Sequence, residues 1–273
     1  MDDDAIPSVS VVIPVFNEAE NIERTLQSLK KNIHVSHEVI VVYDSEEDNT
    51  LPVLERVGRD DSSLRWVKNN IAAGPSGALR AGFAQARGER VLVVMADLCD
   101  DFTQIQYLLS LVPSKADVVC PSRYCPGGAQ LMKPSLKVWA PRTAGFLMRL
   151  FCGIPTYDPT NSFKLYSSTL LKKIPLTSTV SFSVTLELVA KTHCLGYRIV
   201  EVPTTWHDRQ NGKTNFKLGR SLIAYSPWFC IALLRNRLFH LPNSWLRFLL
   251  GDSRGHNTET HSEHRDTERV TSR

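Results

Sequence analysis

No cysteine pair in this chain is spaced for a metal or redox motif. The six cysteines, at 99, 120, 125, 152, 194 and 230, include no CxxC, and none has a histidine at zinc spacing. They read as reduced, structural thiols. No stretch approaches the about 20 apolar residues that span a bilayer. The longest uncharged stretch near the C-terminus, Ser221–Leu234, is 14 residues, which argues against a transmembrane chain. A basic, then apolar, start is also missing: Met1-Asp2-Asp3-Asp4 is acidic, so a cytoplasmic chain is expected. There is no GxGxxG after the first strand and no Walker lysine motif, which counts against dinucleotide-binding and P-loop enzymes. With 14 glycines and 15 prolines in 273 residues, a collagenous or wholly disordered chain is excluded. No internal repeat is visible.

What is present is enough chain for one large α/β domain or two small ones. The net charge of +4 conceals an asymmetry. Residues 1–110 hold 10 Lys/Arg against 18 Asp/Glu, residues 111–250 hold 18 against 5, and residues 251–273 hold 4 against 5. An acidic first part joined to a basic second part implies two jobs in one molecule. Anionic substrates and an anionic membrane surface both suit the basic part.

Ser8–Val15 (SVSVVIPV) reads as a buried strand ending at a proline. Asn17 follows as a helix cap with Glu20 as its capping-box partner, and Ile22, Leu26 and Leu29 form the apolar stripe. A strand over Glu38–Tyr43, a helix around Leu51–Val57 and a short strand at Leu64–Val67 come next. A helix from Gly77 to Ala86, a strand over Arg90–Ala96, a helix over Phe102–Leu111 and a strand over Asp117–Cys120 complete an alternating pattern. Strands apolar on both faces and separated by helices indicate a parallel sheet covered on both sides. Past Pro121 the pattern loosens into a Pro/Gly-rich connection through Pro141. An apolar helix over Gly145–Phe151, a strand-like Ser162–Tyr166, a helix over Phe182–His193 and a strand over Tyr197–Val202 follow. A polar loop spans Trp206–Asn215. Ser226-Pro227 reads as a cap followed by a first-turn proline. Residues 251–273 contain one aliphatic residue, Val270, and are expected to be a disordered tail.

In an open parallel sheet, ligands bind beyond the carboxyl ends of the strands. Three such ends carry polar punctuation: Pro14-Val15-Phe16-Asn17-Glu18, Asp44-Ser45-Glu46-Glu47-Asp48 and Asp97-Leu98-Cys99-Asp100-Asp101. Carboxylates gathered at one edge repel each other unless a cation or hydrogen-bond donors compensate. A nucleotide supplies ribose hydroxyls and base N–H donors, and Mg²⁺ or Mn²⁺ bridges carboxylate to diphosphate. Each cluster alone is explained by strand ends and helix caps; three on successive strands are harder to explain that way. Gly74-Pro75-Ser76-Gly77 is either an anion-binding helix start or a plain turn.

The stretches SVVIPVFNEAENIERTLQSL, EVIVVYDSEEDNT and GALRAGFAQARGERVLVVMADL resemble, in that order, the front of a family 2 glycosyltransferase with the GT-A fold. SRYCPGG, CGIPTYDPTNSFKLY and LGYRIVEVPTTWHDRQNGKTNFKL resemble the dolichol-phosphate mannosyltransferase-like branch, and together the stretches cover about residues 8–220. The resemblance implies an α/β, mostly parallel sheet flanked by helices. It implies that Pro14, Phe16, Asn17 and Glu18 line the nucleobase pocket and that Asp44 contacts base or ribose. Asp97 matches the carboxylate that binds a divalent metal, Mg²⁺ or Mn²⁺, and the donor diphosphate. The sequence departs from the pattern here. The usual first Asp is Met95, the Gln that often follows the second Asp is Cys99, and the usual Asp-Asp-Gly-Ser reads Tyr43-Asp44-Ser45-Glu46. Metal binding then rests on Asp97, alone or helped by Asp100 or Asp101, or is weakened; capping of the following helix is the simpler explanation of Asp100 and Asp101.

In the same frame the acceptor is a polyprenyl phosphate. Arg123 and the loop cations Arg209 and Lys213 match positions that hold the acceptor phosphate or donor diphosphate, with Arg142 or Lys137 as a further contact. Asn215 stands where the branch often has Lys. A phosphate monoester is already an anion at pH 7, its second pKa about 6, and needs orientation and charge screening rather than a base. A hydroxyl acceptor needs a base, for which Asp158 and Glu187 are the candidates. The expected reaction is inverting transfer of a hexose from a GDP-mannose or UDP-glucose type donor to a polyprenyl phosphate, with Asp97, Arg123, Asp158 and Glu187 as catalytic candidates. Two alternatives stay open: transfer to a glycan or small-molecule hydroxyl, and a non-catalytic nucleotide-sugar-binding protein. No nucleic-acid partner is expected. The expected organisation is a GT-A domain over 1–220, with 1–121 for the nucleotide sugar and 122–220 for the acceptor. Residues 221–250, where Trp228, Phe229, Ile231, Leu233, Leu234, Leu238 and Phe239 mix with Arg235, Arg237 and Arg247, read as amphipathic helices that lie peripherally on the cytoplasmic face of a membrane, pack on the sheet or form a dimer contact.

Overall fold

The computed structural model describes residues 6–132, 136–208 and 218–235. Its strands are β1 (Val9–Pro14), β2 (His37–Tyr43), β3 (Leu64–Lys68), β4 (Arg90–Val93), β5 (Val118–Ser122), β6 (Ala129–Leu131), β7 (Lys164–Ser167), β8 (Ile199–Pro203) and β9 (Thr205–His207). Seven form one sheet in the order β3-β2-β1-β4-β7-β5-β8, and β6 pairs with β9 apart from it. The helices are α1 (Ile22–Asn32), α2 (Leu51–Val57), α3 (Pro75–Gln85), α4 (Ile105–Leu111), α5 (Leu136–Cys152), α6 (Ser168–Lys173), α7 (Ser183–Cys194) and α8 (Leu218–Arg235).

Side chains alternate between the two faces of a strand, and here both faces are covered. Val11, Ile13, Val39, Val41, Leu92 and Leu165 share a core with Ile22 and Leu29 of α1, Leu54 of α2 and Ile105 and Leu108 of α4. Val12, Ile40, Val42, Val91, Val93 and Tyr166 face the opposite core, with Leu79 of α3, Met148 of α5, Val184 and Leu188 of α7 and Trp228 of α8. Burying a Val, Leu or Ile side chain stabilises by about 1.5–3 kcal/mol, which is why these strands read as continuous apolar runs. The architecture is the expected mostly parallel α/β sheet. β7 is the exception: it runs antiparallel to β4 and β5, with Val93 opposite Lys164. It therefore starts at the edge where its neighbours end, and brings the loop ahead of it to that carboxyl edge.

Several boundaries differ from the sequence expectation. Asn17 does not cap a helix. It adopts a left-handed φ of 58°, its N–H donates to the Asp48 carboxylate, and α1 begins only at Ile22, after Asn21. The Pro-rich connection is shorter than expected, because α5 runs through Pro141. α8 runs through Pro227 rather than starting there. That proline removes the N–H that would bond the Ile223 carbonyl, and the Ser226 hydroxyl donates to the freed oxygen at 2.9 Å. Trp206 and His207, expected in a loop, lie in β9. Trp228 and Ala232 are buried in the second core, so this part of the expected interfacial stretch packs onto the domain. Leu238, Phe239, Arg237, Arg247 and the 251–273 tail lie outside the described residues. Among the described residues no two cysteines are joined by a disulfide.

At the amino edge of the sheet, Glu38 is 3% exposed. It accepts from the Ser10 hydroxyl at 2.6 Å, the Arg87 N–H at 2.8 Å and the Arg65 guanidinium at 3.1 Å. Burial pushes its carboxyl up, but the Ser10, Arg87 and Arg65 donors outweigh that and hold it below the usual range. Glu38→Gln should lower the unfolding free energy by about 2 kcal/mol at pH 7, the buried-pair figure reduced for the exposure of the arginines. A carboxylate with a depressed folded pKa stabilises above its unfolded value, about 4.3, and loses that contribution as the pH falls further. Urea unfolding at pH 7 and pH 3 should show the wild-type advantage shrinking at the lower pH.

Candidate active site

The loops leaving β1 and β2 are built against each other. Pro14 is buried at the end of β1, and Phe16 projects with 57% exposure. Asn17 Oδ1 accepts from the Asn49 N–H, and the Glu18 N–H donates to Thr50 Oγ1. Asp48 holds this arrangement through the Asn17 N–H and the Thr50 hydroxyl. Asp44 accepts from Asn69 Nδ2 and from the Gly74 N–H, both at 2.7 Å. Gly74 has a φ of 101° and opens α3, so the anion at that helix start is the protein's own Asp44. Pro14, Phe16, Asn17, Glu18 and Asp44 thus share one edge. Asp48, named from sequence only as the end of a polar stretch, and Thr50, not named at all, fix them through partners about 30 residues away.

The loop leaving β4 turns sharply at Leu98, whose φ is 57°. The Cys99 N–H donates to Asp97 Oδ1, the Cys99 carbonyl accepts from the His207 N–H at 2.8 Å, and Asp100 forms a bridge with Trp206. Asp101 caps the next turn, accepting from the Thr103 N–H. Asp100 does not share that role. It is 8% exposed and its Oδ1 has no hydrogen-bond partner. Burial, then the charge of Asp97, pushes its carboxyl up to about 8. Among the described residues, no three His, Cys, Asp or Glu side chains converge as a ready metal site.

Across from these acids, Arg123 follows β5 and Asp158 precedes β7. Arg123 Nε and Nη2 donate to the two Asp158 oxygens at 2.6 and 2.8 Å, and the Arg123 N–H adds a third bond. Burial pushes the Asp158 carboxyl up, but Arg123 outweighs it and holds it below the usual carboxylate range. Lys164, fully buried, donates to the Asn161 carbonyl and lies 3.4 Å from that of Asp158; burial lowers its pKa. Arg123, Tyr124, Gln130, Arg142 and Tyr157 line a pocket of about 500 Å³. Gly145 lets α5 reach this pocket, since a Cβ there would meet the Tyr157 carbonyl oxygen. Glu187 lies elsewhere. It is fully buried in α7 and accepts from the Thr177 and Ser178 N–H groups and from Lys191. Both candidate bases are engaged by donors: Asp158 by Arg123, and Glu187 by Thr177, Ser178 and Lys191. Arg209, Lys213 and Asn215 lie outside the described residues, and nothing is described of the Lys137 side chain.

The family model for Glycosyl transferase family 2 matches residues 10–175, from β1 to just beyond α6. This chain belongs to that family. The undecaprenyl-phosphate mannosyltransferase of Micrococcus luteus is 30% identical over 228 residues, 81% of this chain and 93% of the relative. The polyprenol monophosphomannose synthase of Mycolicibacterium smegmatis is 30% identical over 208 residues, 74% of this chain and 78% of the relative. Among solved structures, glucosyl-3-phosphoglycerate synthase from Mycobacterium tuberculosis, in complex with Mn²⁺, UDP and glucosyl-3-phosphoglycerate, aligns with a TM-score of 0.60 at 22% identity. The alignment covers 84% of this chain and 79% of that one, and it shows a shared GT-A fold.

In this family 2 glycosyltransferase, removing either partner of the Arg123–Asp158 pair leaves a buried charge uncompensated. Asp158→Asn should cost about 3–5 kcal/mol in urea unfolding. Glu187→Gln should also destabilise, while nucleotide affinity of the folded protein, read by titration calorimetry, stays within about twofold.

Proposed function

We propose that this glycosyltransferase moves a hexose from a nucleotide sugar to the phosphate of a polyprenyl phosphate. The carrying observation is the acceptor wall: Arg123 holds both oxygens of Asp158 and, with Arg142, lines the pocket. Arg142 offers the positive charge of that wall to an anion, Arg123 being paired with Asp158. Asp158 and Glu187 are already engaged by donors that a base for a hydroxyl would have to give up. The names of the Micrococcus luteus and Mycolicibacterium smegmatis relatives agree with this acceptor class and favour mannose as the hexose.

In this reading a phosphate oxygen attacks the anomeric carbon opposite the leaving group. The bond from that carbon to the diphosphate oxygen breaks, its electron pair leaves with the nucleoside diphosphate, and configuration inverts. The nucleophile arrives as an anion, so the protein supplies orientation and screening rather than deprotonation. Phe16, Asn17, Glu18 and Asp44 hold the nucleotide on loops fixed to one another. Arg123 and Arg142 orient the acceptor phosphate, and Arg209 and Lys213 are assigned to the phosphates as well. A divalent cation held at Asp97 would offset charge on the leaving diphosphate.

α5 supports a membrane-surface location for the acceptor. Trp139, Phe146, Leu147, Leu150 and Phe151 are exposed at helical spacing, and Arg142 stands 5.7 Å over the Trp139 ring. Aromatic, aliphatic and cationic side chains on one helix suit an anionic membrane interface. No helix among the described residues is long and apolar enough to cross a membrane, and the assigned contact is peripheral.

Nucleoside diphosphate release from GDP- and UDP-sugars should require a short-chain polyprenyl phosphate. Silence with that acceptor despite measurable nucleotide binding, or release driven equally by glycan hydroxyls, overturns the assignment. Replacing Trp139 and Leu150 with Ser should reduce co-sedimentation with phosphatidylglycerol vesicles several-fold, with release to a water-soluble acceptor little changed.

A further inference from the structure

The two positions where the family pattern would supply further metal ligands carry poor ones. Met95 has a thioether. Cys99 is 1% exposed and its thiol donates to the Asp97 carbonyl. Hard cations such as Mg²⁺ and Mn²⁺ prefer oxygen ligands, so the pattern leaves Asp97 without its usual companions. One residue beyond Cys99 stands a carboxylate with no assigned work.

Asp100 has none of the ordinary reasons to be buried. The cap of the following turn is Asp101, which accepts from the Thr103 N–H and hydroxyl and from Gln104 Nε2. The nearby cations are committed: Arg123 Nε and Nη2 to Asp158, and Lys164 to main-chain carbonyls. Oδ1 of Asp100 is left without a partner although the residue is 8% exposed. Buried polar atoms are rarely left so, and an unpaired carboxylate is among the costliest. Asp97 stands three residues back, around the turn at Leu98, and of the charges near Asp100 its own acts most strongly. With Asp158 the cluster gathers three carboxyl groups beside two cations, Arg123 and Lys164.

We propose that Asp100 is the second protein ligand of a divalent-cation site, taking with Asp97 the part left vacant by Met95 and Cys99. The cation satisfies the orphaned Oδ1 and presents positive charge to the diphosphate. Water and diphosphate oxygens complete its shell, as is usual where a cation is held by one or two carboxylates. The loop serves this placement: the turn at Leu98 and the anchors from Trp206 and His207 fix Asp100 beside Asp97. The inference rests on the reading that Asp97 carries the cation at the donor diphosphate.

Mn²⁺ titration of the full chain, followed by the electron paramagnetic resonance of free Mn²⁺, tests it with the metal alone and again with GDP or UDP. Asp100→Asn should weaken Mn²⁺ binding at least tenfold, whereas Asp101→Asn should stay within twofold of wild type. Without metal, Asp100→Asn should melt no lower than wild type, because the buried Oδ1 has no hydrogen bond to lose. Mn²⁺ should raise the melting temperature of wild type and not of the variant. Equal Mn²⁺ affinity in wild type and Asp100→Asn overturns the proposal, as does a wild type that binds no Mn²⁺ with either nucleotide. A metal-free variant melting well below wild type overturns it too, since that marks a structural carboxylate. Asp100→Ser should repeat both results, the loss of Mn²⁺ binding and the undiminished metal-free melting temperature. No acceptor is present, so the result stands apart from whether transfer to a polyprenyl phosphate occurs.

Discussion

The carboxyl edge of this sheet is organised around one buried ion pair. Arg123, at the end of β5, and Asp158, in the loop ahead of β7, have side chains 12% and 0% exposed. Two charges so enclosed lose much of their hydration, and their mutual attraction compensates only when hydrogen bonds satisfy them well. Here the guanidinium meets the carboxylate through two parallel bonds, and the Arg123 N–H adds a third. The planar fork of arginine suits this task in a way that lysine does not. The pair fixes the direction of the β5 and β7 loops, and with them the wall of the pocket that Tyr124, Gln130, Arg142 and Tyr157 complete.

The charge asymmetry of the chain takes physical form at this edge. Asp44, Asp48, Asp97 and Asp100 come from the acidic first part, and Arg123, Arg142 and Lys164 from the basic second part. They meet because β7 is inserted between β4 and β5. The acids do not all have the same role. Asp48 is consumed in tying the first two loops together. Asp44 is held by an asparagine and by the start of α3, which leaves it rigid at the rim. Asp100 alone is both buried and left with an unpartnered oxygen. Position at a strand end brings a carboxylate to the cleft, and its local donors decide what it does there.

Much of the first half was legible in the sequence because its strands are apolar on both faces, a pattern that survives without knowledge of neighbours. Asp44 and Asp97 were legible for the same reason, as the polar residues that end such runs. Orientation was not: nothing in Lys164-Leu165-Tyr166-Ser167 says that this strand runs against the others. Prolines misled twice, at Pro141 and Pro227, because the side chain that compensates for a missing N–H, such as Ser226, is visible only once the helix is built. Asn17 looked like a cap, whereas a contact with Asp48 draws it into a left-handed turn. Burial of Glu38, Lys164 and Glu187 was illegible because each depends on partners from other elements or loops. The roles open to Asp158 narrowed for that reason, since Arg123 stands 35 residues away in sequence.

The position of β7 also constrains how the chain comes together. The strands β3, β2, β1 and β4 arise from one contiguous stretch and can pair as it is synthesised. The flank of β4, with Val91 and Val93, remains open until the much later β7 arrives. Such an unpaired edge invites association with another chain, and pairings distant in sequence form slowly. β7 is therefore a keystone laid late: it closes that flank, joins β5 to the rest of the sheet, and carries in the aspartate that Arg123 requires. A chain interrupted ahead of Lys164 would have the nucleotide-facing loops but no finished wall opposite them, and its open flank would make it a template for aggregation.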